Sequence, residues 1–170
     1  GALRLWSGHT LRRVQELGRA SPTPSPATQP DDPAAILFTS GSTGAPKGVV
    51  YRVRHFLAQI EMIRNAYGIE PGEIDLPTFP LFALFDPALG MTTVVPLMDP
   101  TRPAEANPRI LAATINAFQV TNMFGSPALL NTLGRYLNES QTRLNSVQRV
   151  ISAGAAVPPM TVERVMDALP

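Results

Sequence analysis

The sequence contains no cysteine. That excludes disulfide cross-links, thiolate zinc sites, iron–sulfur clusters and a cysteine nucleophile. Histidine is scarce as well, with His9 and His55 the two in the chain, so a histidine-built metal centre is not expected and no metal ligand is assigned. Charged residues make up 16%, and 14 Lys plus Arg against 13 Asp plus Glu leave a net charge of +1. Such a balance gives no electrostatic footprint for nucleic acid. No charged-then-apolar leader pattern opens the sequence. Together with the missing cysteines this fits a reducing compartment, and a cytoplasmic location is expected. The longest apolar stretch, 76–98, carries Asp86 as its single charge but also Pro77, Pro80, Pro87 and Pro96. Prolines at that spacing break a helix repeatedly, so buried strands and loops are expected there rather than a membrane span.

What remains is a chain of 170 residues with 44% apolar content, long enough to bury a real core. Residues 21–33 hold five prolines in thirteen positions and read as a stiff linker or surface loop. Before it, Leu11, Val14 and Leu17 recur at helical spacing, and 1–20 reads as the end of a preceding subdomain. After it, residues 34–170 form the main body. Runs at 34–38 and 49–51 read as strands around a glycine-rich turn, and 55–67 as a helix stopped by Gly68. Residues 91–97 are a further strand candidate. The rest alternates: helix 108–118 with Ile110, Leu111, Ile115 and Phe118 inward, strand 120–124, helix 127–137, strand 147–152, helix 159–169. Alternation of this kind predicts an α/β fold with a mostly parallel sheet flanked by helices. No internal repeat is present.

The most informative segment is TSGSTGAPKG at 39–48. Gly41, Gly44 and Gly48 allow positive φ and close backbone approach to a ligand. Thr39, Ser40, Ser42 and Thr43 place four hydroxyls within five positions, and Lys47 adds a positive charge. Backbone N–H groups and hydroxyls gathered this way suit the oxygens of a triphosphate. A Walker loop needs glycine before the lysine and a hydroxyl after it, where this chain has Pro46 and Gly48. The competing reading is a Ser/Gly-rich hairpin turn without a ligand.

The same ten residues resemble the phosphate-loop signature of the adenylate-forming superfamily, which comprises acyl-CoA ligases, peptide-synthetase adenylation domains and luciferases. Two further segments fit in order. Residues 79–82 (FPLF) resemble the proline-aromatic wall of the acyl pocket, and 150–157 (VISAGAAV) the small-residue strand end against which adenine lies. Residues 75–90, 98–104 and 124–129 are most similar to the β-lactone synthetases of bacterial olefin biosynthesis. The resemblance implies ATP-dependent, AMP-forming activation of a carboxylic acid, here a long-chain β-hydroxy acid whose hydroxyl closes on the activated carbonyl to give a β-lactone. A fatty-acyl-CoA ligase, an amino-acid adenylation domain and a non-catalytic nucleotide-binding remnant are the alternatives.

The resemblance also implies roles. Ser40, Gly41, Ser42, Thr43, Gly44 and Lys47 would hold the β and γ phosphates, and Thr39 would face the adenylate. Lys47 and Thr39 are thus the catalytic candidates. Ala153, Gly154 and Ala155 would receive adenine. Phe82, Phe85, Met123, Phe124, Gly125 and Ser126 would line the acyl tunnel, although plain core packing also accounts for these six. Phe85 and Asp86 also resemble the pair that grips an amino acid's ammonium in peptide synthetases, while Asp86 before Pro87 equally suits a turn or helix start.

ATP is the implied cofactor with Mg2+, whose main ligand lies in a Tyr-Gly-x-Thr-Glu segment absent from these residues. CoA enters if the product is a thioester. The partners implied are a small carboxylic acid and other enzymes of the same pathway. The pattern departs at Val53 and Ala83, where many members carry histidine. Since the ribose aspartate and the C-terminal lysine are also absent, the chain is expected to be an internal piece of the large N-terminal domain, without turnover alone.

Overall fold

In the computed structural model, which describes residues 8–22, 24, 27–39 and 46–170, the chain divides into two units, Gly1–Phe56 and Leu57–Pro170. In the first, helix α1 (Leu11–Ala20) begins where the Thr10 hydroxyl accepts the Arg13 amide at 3.3 Å, a side-chain cap on an otherwise unpaired donor. Strands β1 (Pro33–Thr39) and β2 (Lys47–Arg52) form an antiparallel hairpin with Thr39 opposite Lys47 and Phe38 opposite Gly48. Both expected strands are present and somewhat longer than their apolar runs.

Gly48 corrects one expectation. It lies within β2 and is not among the glycines with positive φ. An added Cβ would stand 3.2 Å from Ile36 Cγ2 and 3.3 Å from Phe38 Cε1. Its small size therefore serves packing across the hairpin. The strand also stops at Arg52, and helix α2 (Val53–Tyr67) begins at once. His55 Nδ1 accepts the Arg52 amide at 3.0 Å, capping that start. His55 is thus a helix residue, as the sequence predicts for 55–67.

The second unit is built on a four-stranded parallel sheet in the order β4-β3-β5-β6: β3 (Ile74–Pro77), β4 (Thr92–Thr93), β5 (Asn122–Phe124) and β6 (Arg149–Ile151). Helix α4 (Pro108–Phe118) joins β3 and β4 to β5, α5 (Pro127–Ser140) joins β5 to β6, and α6 (Pro159–Met166) follows. Asn107 and Ser126 cap α4 and α5, each followed by proline in the first turn, where its missing N–H costs nothing. A single-turn helix, α3 (Asp86–Leu89), lies between β3 and β4. The parallel, helix-flanked sheet is the one the alternation predicts.

Two expectations change. The 91–97 strand shrinks to β4, because Pro96 has no N–H to donate and Val95 and Leu97 stand exposed. In α4 the buried stripe is Leu111, Ala112 and Ile115, whereas Ile110 and Phe118 are exposed. Ile110 lies a hundred degrees round from Leu111, and Phe118 is in the last turn.

Leu129, Leu133 and Leu137 of α5, one helical turn apart, pack with Leu76, Met123, Val147 and Val165 into the main core. Gly134 lets α6 approach: a Cβ there would meet Arg164 Cβ and Val165 Cγ2, both at 3.2 Å. Gly134→Val is expected to destabilise the protein by about 1–3 kcal/mol through overpacking, read as a lower urea midpoint. An unchanged midpoint would show that the two helices can part freely. No described helix is long and apolar enough to cross a membrane.

Candidate functional site

The β1–β2 hairpin holds the two ends of the glycine-rich loop against each other. Thr39 and Lys47 are register partners, and Lys47 is exposed at the first position of β2. Ser40, Gly41, Ser42, Thr43 and Gly44 lie outside the described residues, as does the Thr39 side chain. The strand that follows the loop, rather than a helix, separates it from a Walker loop, as the sequence predicts.

Ligands of open parallel sheets gather at the carboxyl ends of the strands. In the second unit those ends carry Thr78 after β3, Gly125 and Ser126 after β5, and Ser152, Ala153 and Gly154 after β6. Thr78 donates twice to the Phe124 carbonyl, from its amide at 3.1 Å and its hydroxyl at 2.7 Å. That anchors Phe124, whose ring stacks on Phe82 with centroids 4.0 Å apart.

Two apolar cavities meet at this ring pair. One, of about 220 Å³, runs along the sheet from Ala153 and Phe124 past Met123 and Phe85 to Asp75 and Asn122. The other, of about 320 Å³, takes in Phe79, Phe82, Phe124, Ser126 and Gly154. Phe82, Phe124 and Ala153 border both. Of the six tunnel candidates, Phe82, Phe85, Met123 and Phe124 line the first cavity and Ser126 the second.

Gly125 lines neither. A Cβ there would stand 2.9 Å from Leu130 Cδ2, so its bareness admits α5. The Ser126 hydroxyl is engaged in capping α5, accepting the Leu129 amide at 3.3 Å. Gly154 has φ +96 with open space where a side chain would be, a backbone state that other residues enter only with strain. Ala155 is exposed.

Two acidic groups interrupt the apolar wall. Asp75, on β3, and Asp86, opening α3, are 8% and 3% exposed and both line the 220 Å³ cavity. Thr93, the register partner of Asp75 on β4, donates its hydroxyl to Asp86 Oδ2 at 2.6 Å. Burial, reinforced by repulsion from Asp86 and opposed by the Leu76 amide, pushes the Asp75 carboxyl up to about 7. Burial also raises Asp86, against the Thr93 bond.

Sequence reasoning missed Asp75. It interrupts an apolar run, and β3 itself, Ile-Asp-Leu-Pro, carries no strand signal that periodicity detects. Because the folded state holds the Asp75 proton more tightly than the unfolded chain, its contribution to stability is largest at low pH. It falls as pH rises from about 4 through about 7. Asp75→Asn is expected to flatten that decline, measured as urea midpoints across the range; an identical slope in the variant would remove Asp75 as its source.

Among the described residues no three His, Asp or Glu side chains gather as they would around a metal ion. The Ser152 hydroxyl is buried in the first cavity's wall without a hydrogen-bond partner among the described residues.

The sequence profile of the AMP-binding enzyme family matches residues 5–170. This chain is an AMP-binding family member. It is 54% identical over all 170 of its residues to an olefin β-lactone synthetase of Xanthomonas campestris pv. campestris, covering 30% of that protein. To the olefin β-lactone synthetase of Stenotrophomonas maltophilia it is 53% identical over 165 residues, 97% of this chain and 29% of that one. The AMP-binding chain therefore spans about 30% of the length of these curated relatives.

Its fold matches the crystal structure of VinN with a TM-score of 0.73 at 21% identity, over 94% of this chain and 39% of that one. It also matches McyG A-PCP complexed with phenylalanyl-adenylate with a TM-score of 0.72 at 23% identity, over 91% and 26%. At those identities the match concerns the AMP-binding fold alone.

Proposed function

We propose that the protein carrying this chain is an ATP-dependent, AMP-forming acid ligase whose substrate is a long-chain β-hydroxy acid and whose product is a β-lactone. The observation that carries the reading is the 54% identity over the whole chain to an olefin β-lactone synthetase. Relatives named as CoA ligases stand further off, at 28% identity over most of this chain or 38% over 46% of it, which favours lactone closure over transfer to CoA.

The reaction has two steps. The acid's carboxylate attacks the α-phosphorus of ATP and pyrophosphate leaves. The β-hydroxyl oxygen then attacks the activated carbonyl, closing a four-membered ring as AMP departs and the hydroxyl proton is released. Both partners of the first step are anions, so positioning and charge neutralisation dominate it.

Thr39, Ser40, Gly41, Ser42, Thr43, Gly44 and Lys47 are assigned to the triphosphate and adenylate, with magnesium travelling with the phosphates. The hairpin supports this assignment, since pairing of Thr39 with Lys47 holds the ends of that loop together before any ligand arrives. Ala153, Gly154 and Ala155 are assigned to adenine, and the open space over Gly154 is the feature that suits a flat ring. Phe82, Phe85, Met123 and Phe124 are assigned to the acid's chain, supported by the apolar cavity they line.

The test is the full-length protein given ATP, magnesium and a long-chain β-hydroxy acid. Stoichiometric AMP, pyrophosphate and a strained lactone carbonyl in the infrared are expected without CoA. Product only when CoA is added would replace lactone closure with thioester formation, and ATP binding without turnover would point to a nucleotide-binding remnant.

A further inference from the structure

Asp75 and Asp86 have no place in the adenylation chemistry above, yet both lie more than nine-tenths buried on one cavity wall. An apolar tail gains nothing from them, and burying a carboxyl without a full set of partners costs stability. The Leu76 amide meets the Asp75 carboxyl, but among the described residues no side chain donates to it, and no Lys or Arg lines the cavity.

The two ends of the cavity also differ. Ala153 and Phe124 lie where the strands end, while Asp75 and Asn122 are register partners two residues further back on β3 and β5, about 7 Å along a strand. An acid lying with its carboxylate towards the strand ends would reach this pair with its chain.

We propose that Asp75 and Asp86 are specificity-determining residues that read a hydroxyl group on the chain of the acid substrate. The proposal rests on the assignment of this cavity to the acid. The pair offers what a hydroxyl needs. With Asp75 held up to about 7, its carboxyl keeps a proton up to near-neutral pH. A protonated carboxyl donates and accepts, and an alcohol does both in return. An ammonium only donates and would take an ionised carboxylate as its partner, which makes an amino acid the competing ligand. Thr93 already serves Asp86 Oδ2, which fixes the orientation of that carboxyl.

The experiment uses the full-length protein and initial rates of acid-dependent ATP–pyrophosphate exchange. The probes are chain-length-matched unsubstituted, hydroxylated (at successive chain positions) and amino acids. The wild-type protein is expected to prefer one hydroxy acid over the unsubstituted acid by about tenfold or more in kcat/KM, since a site built to bond a hydroxyl rejects the analogue that lacks it. Asp75→Leu and Asp86→Leu should each bring that ratio near one, chiefly by raising KM for the hydroxy acid.

Asp86→Asn, which keeps the shape and an oxygen for Thr93, should retain part of the preference and stands in if a leucine variant does not fold. A preference unmoved by all three substitutions overturns the proposal while leaving the function intact. An amino acid outcompeting the hydroxy acids also overturns it. No acid-dependent exchange with any probe overturns both the proposal and the function it rests on.

Discussion

Lys47→Ala in the full-length protein is expected to slow acid-dependent ATP–pyrophosphate exchange by about 10²–10³-fold, the usual cost of removing one preorganised partner of developing charge. Lys47 is exposed and held in β2 by backbone pairing with Thr39, which alanine retains. The fold should therefore be affected little, within about 0.5 kcal/mol for a surface change. The loss should fall mainly on kcat if the ammonium acts on charge gathering on the departing pyrophosphate, and on KM for ATP if it only helps binding. Lys47→Arg keeps the charge on a larger, planar head and should recover part of the rate. Exchange within twofold of wild type in the alanine variant would remove Lys47 from the reaction.

The second large effect concerns stability. Arg149 Nη1 lies 2.7 Å from Glu73 Oε2, and the guanidinium also donates to Asn122 Oδ1 and, at 3.2 Å, to the Gly68 carbonyl. The paired side chains are only 19% and 12% exposed. Arg149→Leu leaves a mostly buried carboxylate and the Asn122 oxygen without this donor, and is expected to cost about 3–5 kcal/mol. Adding Glu73→Gln should restore part of it, because a neutral amide tolerates burial better.

The Glu73 carboxyl is buried, which alone would raise it. Hydrogen bonds from Asn122, the Glu70 backbone and Arg149, with the Arg149 charge, outweigh burial and hold it below the usual carboxylate range. Its stabilising contribution is therefore present at neutral pH and is lost as pH falls through that lowered value. Urea titrations of wild type, single and double variants at pH 7 and in acid would measure this. A single-variant loss under about 1 kcal/mol would mean water replaces the guanidinium.

The parts of the fold that could be read from the sequence are those where one local signal decides. Pro108 and Pro127 after capping residues mark helix starts, Leu129, Leu133 and Leu137 mark a buried stripe, and the run at 34–38 marks a strand. β3 escaped because Asp75 and Pro77 break the apolar pattern that identifies a buried strand, and its place in the sheet is set by β4 and β5 on either side. β4 was overextended because valines at 94 and 95 look like strand whether or not a partner exists.

At the site, glycine, hydroxyl and lysine content announced a phosphate loop, since that chemistry is local. The role of Gly125 in admitting α5, the packing role of Gly48 and the place of Asp75 in the cavity depend on residues brought together by folding.

Glu73 precedes Asn122 by 49 residues and Arg149 by 76, and that spacing has a consequence for synthesis. At about 5–20 residues per second, Arg149 leaves the ribosome about 4–15 s after Glu73. For that interval the Glu73 carboxylate keeps its water, and Leu76 beside it waits for Met123 and then for β6. The parallel sheet thus completes only once β6 has emerged, after a pause during which a nascent chain of this protein offers a chaperone an unfinished strand edge.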